Sequence, residues 1–192
     1  MNLPNKLTLL RIILVPFFVA AMLIDFPMHY LVALAIFGAA SLTDLFDGKI
    51  ARKRGLVTDF GKFSDPIADK ILVMSALLCF VQLGLSDCVI VIIALFREFT
   101  VTSIRLLAAG EGKVVAANIW GKVKTVTQMV AIIAVLVMRI ILEILTLSGA
   151  SVPWLGGVFY VAGEILLWIS TIFCLLSGVI YLVQNKQYIS ME

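Results

Sequence analysis

Six long apolar runs, at residues 7–24, 30–45, 66–83, 88–107, 119–142 and 154–183, take up most of this chain and decide what it can fold into. Each is near or beyond the ~20 residues that a helix needs to cross the hydrocarbon of a bilayer. Hydrocarbon holds no water to bond a bare backbone amide, so only α-helices and closed β-barrels cross it. The runs lack period-two alternation and no hairpin turns separate them, which argues against strands. Of 192 residues, 62% are hydrophobic and 14% charged, against about 45–50% and about 25% in soluble domains. The expectation is an all-α integral membrane protein of one domain, residues 1–192, with six transmembrane helices.

The ends of the runs refine this picture. The second is short if cut at Leu45, but its helix could continue through the motif into the aqueous edge. The last run should tilt or project from the bilayer. At the start, Met1-Asn2-Leu3-Pro4-Asn5-Lys6-Leu7-Thr8-Leu9-Leu10-Arg11 alternates polar and apolar residues. That pattern suits a short amphipathic helix on the membrane surface, and Pro16 should kink the span that follows. Nothing there reads as a removable signal peptide. Lys6, Arg11, Lys49, Arg52, Lys53, Arg54, Lys62, Lys113, Lys122, Lys124 and Lys186 fall at one set of ends, whereas loops 25–29, 84–87 and 143–153 hold no Lys or Arg. Such a bias predicts both termini on the cytoplasmic side. Cys79, Cys88 and Cys174 lie in apolar runs without metal-type spacing and read as buried small hydrophobes. His29, the lone histidine, is expected at the surface of an external loop.

The charge that this chain does carry is concentrated at residues 44–69. Asp44 and Asp47 are three apart, Asp65 and Asp69 four apart, so each pair shares one helix face. If the two runs form an antiparallel hairpin, all four carboxylates converge, and their mutual repulsion favours protonating some of them unless a cation neutralises the charge. Oxygen donors alone suit a hard ion, Mg²⁺, Mn²⁺ or Ca²⁺. Asp65-Pro66 also reads as an N-cap followed by proline at the first helical position. Asp44 and Asp47 instead fall near an expected helix C-terminus, where the dipole disfavours anions. Gly48, Ala51 and Gly61 would admit either a phosphate or a neighbouring helix. Arg52 could grip phosphate bidentately. Downstream, Arg97, Arg105, Lys122 and Lys124 form a second basic set. Arg97 lies near the middle of an apolar run, where it must pair with an acid such as Glu98 or face a polar cavity.

The stretch reads D-x2-D-G-x2-A-R-x8-G-x3-D-x3-D, and in this form it resembles the defining motif of the CDP-alcohol phosphotransferases, with every fixed position present. Eight fixed positions at roughly one residue type in twenty would match by accident on the order of once in ten billion starts, so the motif is specific. The opening Leu3 to Thr8 with Arg11, the stretch from Arg97-Glu98 to Arg105, and Gly121-Lys122-Val123-Lys124-Thr125 are similar to the bacterial phosphatidylglycerolphosphate synthases of that family. The resemblance extends to about Gln128.

It implies a phosphatidyl transfer from CDP-diacylglycerol to glycerol 3-phosphate in the bacterial cytoplasmic (inner) membrane, with the active site facing the cytoplasm. Two divalent cations, Mg²⁺ or Mn²⁺, would be bound by Asp44, Asp47, Asp65 and Asp69, with Asp69 as the general base. Asn5, Thr8, Asp44, Gly48, Ala51, Arg52, Thr58 and Gly61 are implied to line the CDP-diacylglycerol pocket. Arg97, Arg105, Lys122 and Lys124 are implied to bind the acceptor's phosphate. Inositol phosphate or phosphatidylglycerol stands as an alternative acceptor. A divalent-cation transporter is the reading from another class, although the acids cluster at one interface rather than at the midplane. The glycines form no G-x-G-x-x-G or Walker loop, and no nucleic-acid platform is present. A homodimer is compatible with the sequence, which does not itself set the oligomeric state.

Replacing Asp44 or Asp47 by Asn keeps the volume but loses the charge that a hard cation needs. Either variant should insert normally and show no turnover. Robust Mg²⁺-dependent activity in the purified variants would remove the metal assignment.

Overall fold

The computed structural model describes residues 3–54, 59–110, 112–113, 118–150 and 152–188, with side chains for all of these except 3–4, 44–54, 59–66, 69 and 188. The described residues contain six α-helices and no strand. They are α1 (Leu3–Leu23), α2 (His29–Arg54), α3 (Asp59–Gln82), α4 (Cys88–Gly110), α5 (Ile119–Leu147) and α6 (Pro153–Gln184), followed by a short 3-10 turn at Lys186–Tyr188. Helix α1 packs on α2 and α3, and α6 packs on both α4 and α5. The two groups join where α2 meets α5 and α3 meets α4.

One apolar core runs through the bundle. Phe18 and Phe37 meet there with ring centroids 5.7 Å apart, among Met22, Leu77, Phe80, Ile132, Leu136 and Leu167, all fully buried. The outside is equally apolar: Phe17, Ile92, Phe96 and Leu106 stand exposed, and Phe99 is 69% exposed. An aqueous surface does not tolerate so continuous a coat of large apolar side chains, so lipid is its natural solvent. By length and composition, the segments Asn5–Leu23, Ile119–Leu147 and Pro153–Gln184 could cross a membrane, and shorter apolar stretches cover His29–Thr43 and Lys70–Gln82. At 1.5 Å per residue α6 is about 48 Å long, more than the hydrocarbon is thick.

Several sequence expectations are corrected. No separate surface helix precedes the first span, because α1 runs without a break from Leu3 to Leu23, with Pro16 inside it. Asn5, Thr8, Arg11, Val15, Phe18 and Met22 are buried at spacings of three and four, and Arg11 is only 1% exposed. The alternation near the N-terminus is therefore the polar end of the helix's inward face. Asp44 and Asp47 do not end α2, which continues to Arg54. Likewise Asp65 is not an N-cap, since α3 begins at Asp59. Both pairs lie beyond the terminal turns in which the helix dipole acts, so the dipole no longer argues for a cation at Asp44 and Asp47.

Finally, His29 is buried. Its Nδ1 lies 3.1 Å from the Ala21 carbonyl oxygen, and its ring centroid is 3.9 Å from that of Tyr30. Its backbone N–H donates to Glu143 Oε1 of α5 at 3.1 Å. The same amide lies 3.1 Å from the Phe26 carbonyl oxygen, so Glu143 adds a long-range acceptor to the N-terminal turn of α2. Of the cysteines, Cys79 and Cys174 are buried, whereas Cys88 is exposed.

The α5–α6 contact depends on Gly163, where an added Cβ would stand 3.2 Å from Val135 Cγ2. Val135 is β-branched and held to one rotamer in a helix, so it cannot swing aside. Gly163→Ala should lower the Tm, and Val135→Ala in the same chain should restore part of the loss. Gly38→Ala, where a Cβ meets nothing within 4 Å, should leave the Tm unchanged or raised. A destabilised Gly38→Ala beside an unaffected Gly163→Ala would refute this packing.

Candidate functional site

Helices α2 and α3 are consecutive, touch one another, and are joined across residues 55–58. Asp44 lies ten residues before the end of α2, and Asp69 lies ten residues after the start of α3. Asp47 is seven residues from the first end and Asp65 six from the second. At 1.5 Å per residue, an antiparallel pair connected in this way brings Asp44 level with Asp69 and Asp47 level with Asp65. The side chains of Asp44, Asp47, Gly48, Ala51, Arg52, Gly61, Asp65 and Asp69 lie outside the described residues, as does Thr58 altogether. By chemistry, an all-oxygen donor set suits hard divalent cations. Among the described residues no other group of acids, cysteines or histidine could hold a metal.

The described side chains assemble a second polar site around Glu98 of α4. Its Oε1 accepts from Lys124 Nζ of α5 at 2.6 Å and from Arg97 Nη1 at 2.9 Å. Its Oε2 lies 3.8 Å from Lys70 Nζ of α3. Lys70 also donates to Thr102 Oγ1, which in turn donates to the Glu98 backbone oxygen at 2.7 Å. Arg97 Nη2 donates to Ser177 Oγ of α6 at 2.7 Å. Two turns along α4, Arg105 Nε donates to Tyr181 Oη at 3.1 Å, with the guanidinium carbon 5.6 Å from the Tyr181 ring centroid.

Arg97 and Glu98 are neighbours in sequence and would ordinarily diverge around the helix. They meet because the long Arg97 side chain threads between two glycines. A Cβ on Gly178 would stand 3.1 Å from Arg97 Cγ, and one on Gly121 would stand 3.4 Å from Arg97 Nη2. Side-chain exposure is 11% for Arg97, 13% for Glu98 and 7% for Lys124. Arg97 Nε is buried without a partner among the described residues. At the same end of the bundle Asn118 caps α5 by accepting from the Gly121 amide at 2.9 Å, and its Nδ2 donates to Gln184 Oε1.

The sequence-predicted residues are thus divided among several places. Arg97, Lys124 and, further along α4, Arg105 belong to one polar cluster, whereas Lys122 is exposed on α5. Asn5 and Thr8 are buried on the inward face of α1 beside Arg11. Sequence reasoning did not single out Lys70, Ser177 or Tyr181. Lys70 directly follows Asp69, which links the motif helix to the basic cluster. Ser177, Gly178 and Tyr181 are grouped on one face of a nearly all-apolar helix, and that grouping was the available signal.

A family model described as CDP-alcohol phosphatidyltransferase matches residues 1–176. Curated proteins named CDP-diacylglycerol–glycerol-3-phosphate 3-phosphatidyltransferase are similar along most of the chain. The Bacillus subtilis protein is 41% identical over 96% of this chain and 95% of its own length. The one from Rickettsia bellii is 36% identical, covering 97% of both. That of Wigglesworthia glossinidia brevipalpis is 36% identical over 79% of this chain and 88% of its own.

Proposed function

The chain belongs to the CDP-alcohol phosphatidyltransferase family, and from that premise we propose that it moves the phosphatidyl group of CDP-diacylglycerol to glycerol 3-phosphate. The products are phosphatidylglycerol phosphate and CMP. The relatives' shared name supports the reaction as a whole. The observation that carries the acceptor is the basic cluster, where Lys70, Arg97 and Lys124 from three helices surround the Glu98 carboxylate. Two net positive charges remain there, with Arg105 two turns further along α4 against Tyr181, to meet a phosphate dianion.

The attack is direct. A hydroxyl oxygen of glycerol 3-phosphate forms a bond to the phosphorus that carries the diacylglycerol. The bond from that phosphorus to the bridging oxygen breaks, and CMP leaves with the electron pair. Asp69 takes the hydroxyl proton as general base. Asp44, Asp47, Asp65 and Asp69 would hold two divalent cations, Mg²⁺ or Mn²⁺, whose chemistry is to neutralise the pyrophosphate and the charge growing on the leaving group. Arg52, with Gly48, Ala51, Thr58 and Gly61, frames the nucleotide's phosphates, and Asn5 and Thr8 face the same pocket from α1. The acceptor's own phosphate does not react. Arg105 and Lys124 hold it and turn the hydroxyl toward its target, and this orientation lowers the barrier.

In this reading all six helices span the bacterial inner membrane, both termini are cytoplasmic, and CDP-diacylglycerol enters sideways with its acyl chains still in lipid. Cysteines introduced singly at Gly55 and Ser148 should be labelled from the cytoplasm and from outside, respectively. Labelling of both from one side would break the six-span arrangement.

The acceptor is tested by Arg105→Ala. A charge-assisted hydrogen bond contributes about 1.5–3 kcal/mol, so kcat/KM for glycerol 3-phosphate should fall roughly tenfold or more. Glycerol, which lacks the phosphate, should be a poor substrate for the unaltered enzyme and should suffer far less from the substitution. Equal losses for both acceptors would mean that Arg105 does not read the phosphate. Mass spectrometry of the lipid formed from CDP-diacylglycerol and a panel of phosphorylated alcohols would decide the acceptor independently.

A further inference from the structure

We propose that Glu98 is a positioning residue for acceptor binding: it fixes Arg97 and Lys124 in one orientation and ties them through Lys70 to the helix that carries Asp69. The inference rests on the acceptor reading above. A carboxylate inside an anion-binding cluster is at first sight adverse, because it repels the phosphate. The geometry gives it another role. Glu98 Oε1 takes hydrogen bonds from cations of two different helices, at 2.6 and 2.9 Å, and Oε2 faces a third cation from α3. Without it, Lys70, Arg97 and Lys124 would repel one another in a space where Lys124 and Arg97 are almost wholly buried. Long side chains so repelled would swing apart, and a phosphate would then have to gather them at an entropic cost.

The rest of the cluster is built around this carboxylate. Gly121 and Gly178 clear the path that lets Arg97 turn back toward Glu98. Ser177 fixes the other terminal nitrogen of Arg97, and its Nε stays buried without an acceptor among the described residues. Thr102 joins Lys70 to the Glu98 backbone, so the carboxylate and carbonyl of a single residue both lead back to α3. Lys70 is the residue after Asp69. A shift of α4 is thereby coupled to the helix bearing the proposed base, and the acceptor's phosphate and reacting hydroxyl keep a fixed separation.

The test compares the unaltered enzyme with Glu98→Gln, Glu98→Asp, Lys124→Gln and the double variant Glu98→Gln/Lys124→Gln, all purified in mixed micelles with Mg²⁺. Glu98→Gln should raise KM for glycerol 3-phosphate about ten- to hundredfold, while KM for CDP-diacylglycerol stays within about twofold. Glu98→Asp, which keeps the charge on a shorter arm, should recover part of the loss. If Glu98→Gln is too unstable to assay, the double variant leaves one fewer uncompensated charge buried. Its KM for the acceptor should then exceed that of Lys124→Gln alone by less than about tenfold, because Glu98 acts in part through Lys124 and in part through Arg97. An unchanged acceptor KM in Glu98→Gln, or a double variant showing two independent losses, overturns the proposal. A lowered KM also overturns it, since Glu98 would then compete with the phosphate for the same cations. If the unaltered enzyme makes no product from glycerol 3-phosphate, the acceptor reading itself falls and takes this inference with it.

Discussion

Charge inside an apolar bundle must be answered by charge, and much of this structure follows from how that is done. An ionised side chain at the centre of a membrane helix costs about 2.5–3.5 kcal/mol on insertion scales. Helix α4 carries Arg97, Glu98 and Arg105, and it is absent from the helices apolar enough to span by composition alone. It takes its place against α6, which supplies Ser177 and Tyr181 as polar partners on an otherwise greasy surface. Lys124 of α5 and Lys70 of α3 complete the neutralisation of Glu98. Four of the six helices are located relative to one another by this carboxylate and its neighbours. Breaking a buried pair of this kind typically costs about 3–5 kcal/mol.

In the proposed reading, two polar centres with different tasks stand on the same scaffold. The carboxylate positions on α2 and α3 share a register set only by helix rise and the short connection between them. The basic cluster is held by explicit side-chain bonds instead. Phosphoryl transfer demands that nucleophile and leaving group lie nearly in line, so the distance between these centres matters more than the affinity of either. Lys70 is the shortest covalent route from one to the other.

The number of helices, their all-α character and the motif were legible because they are written in local sequence: apolar run length, missing alternation, carboxylate spacing. Helix ends were harder to place. Asp59 starts α3 and Arg54 ends α2, several residues into polar sequence, because a helix with satisfied backbone bonds has no reason to stop where hydrophobicity does. His29 was misplaced because an external loop suggested exposure, whereas its burial depends on Ala21, Tyr30 and Glu143, contacts that no local window contains. The role of α6 was invisible for a similar reason. Ser177 and Tyr181 gain meaning only when α4 lies beside them. Lys70 was read past because the neighbouring Asp69 had already claimed the motif.

The bond between the His29 amide and Glu143 spans 114 positions of chain, and it gives the N-terminal end of α2 a history as well as a partner. A ribosome adding about 5–20 residues per second delivers Glu143 roughly 6 to 23 seconds after His29. During that interval the Phe26 and Met28 carbonyls can already accept from the His29, Leu31 and Val32 amides, so the first turn of α2 is satisfied by the loop before it. What Glu143 adds on arrival is the tie from that turn to α5. An enzyme assembled in that order has its carboxylate helices in place before the cations that complete the second centre exist.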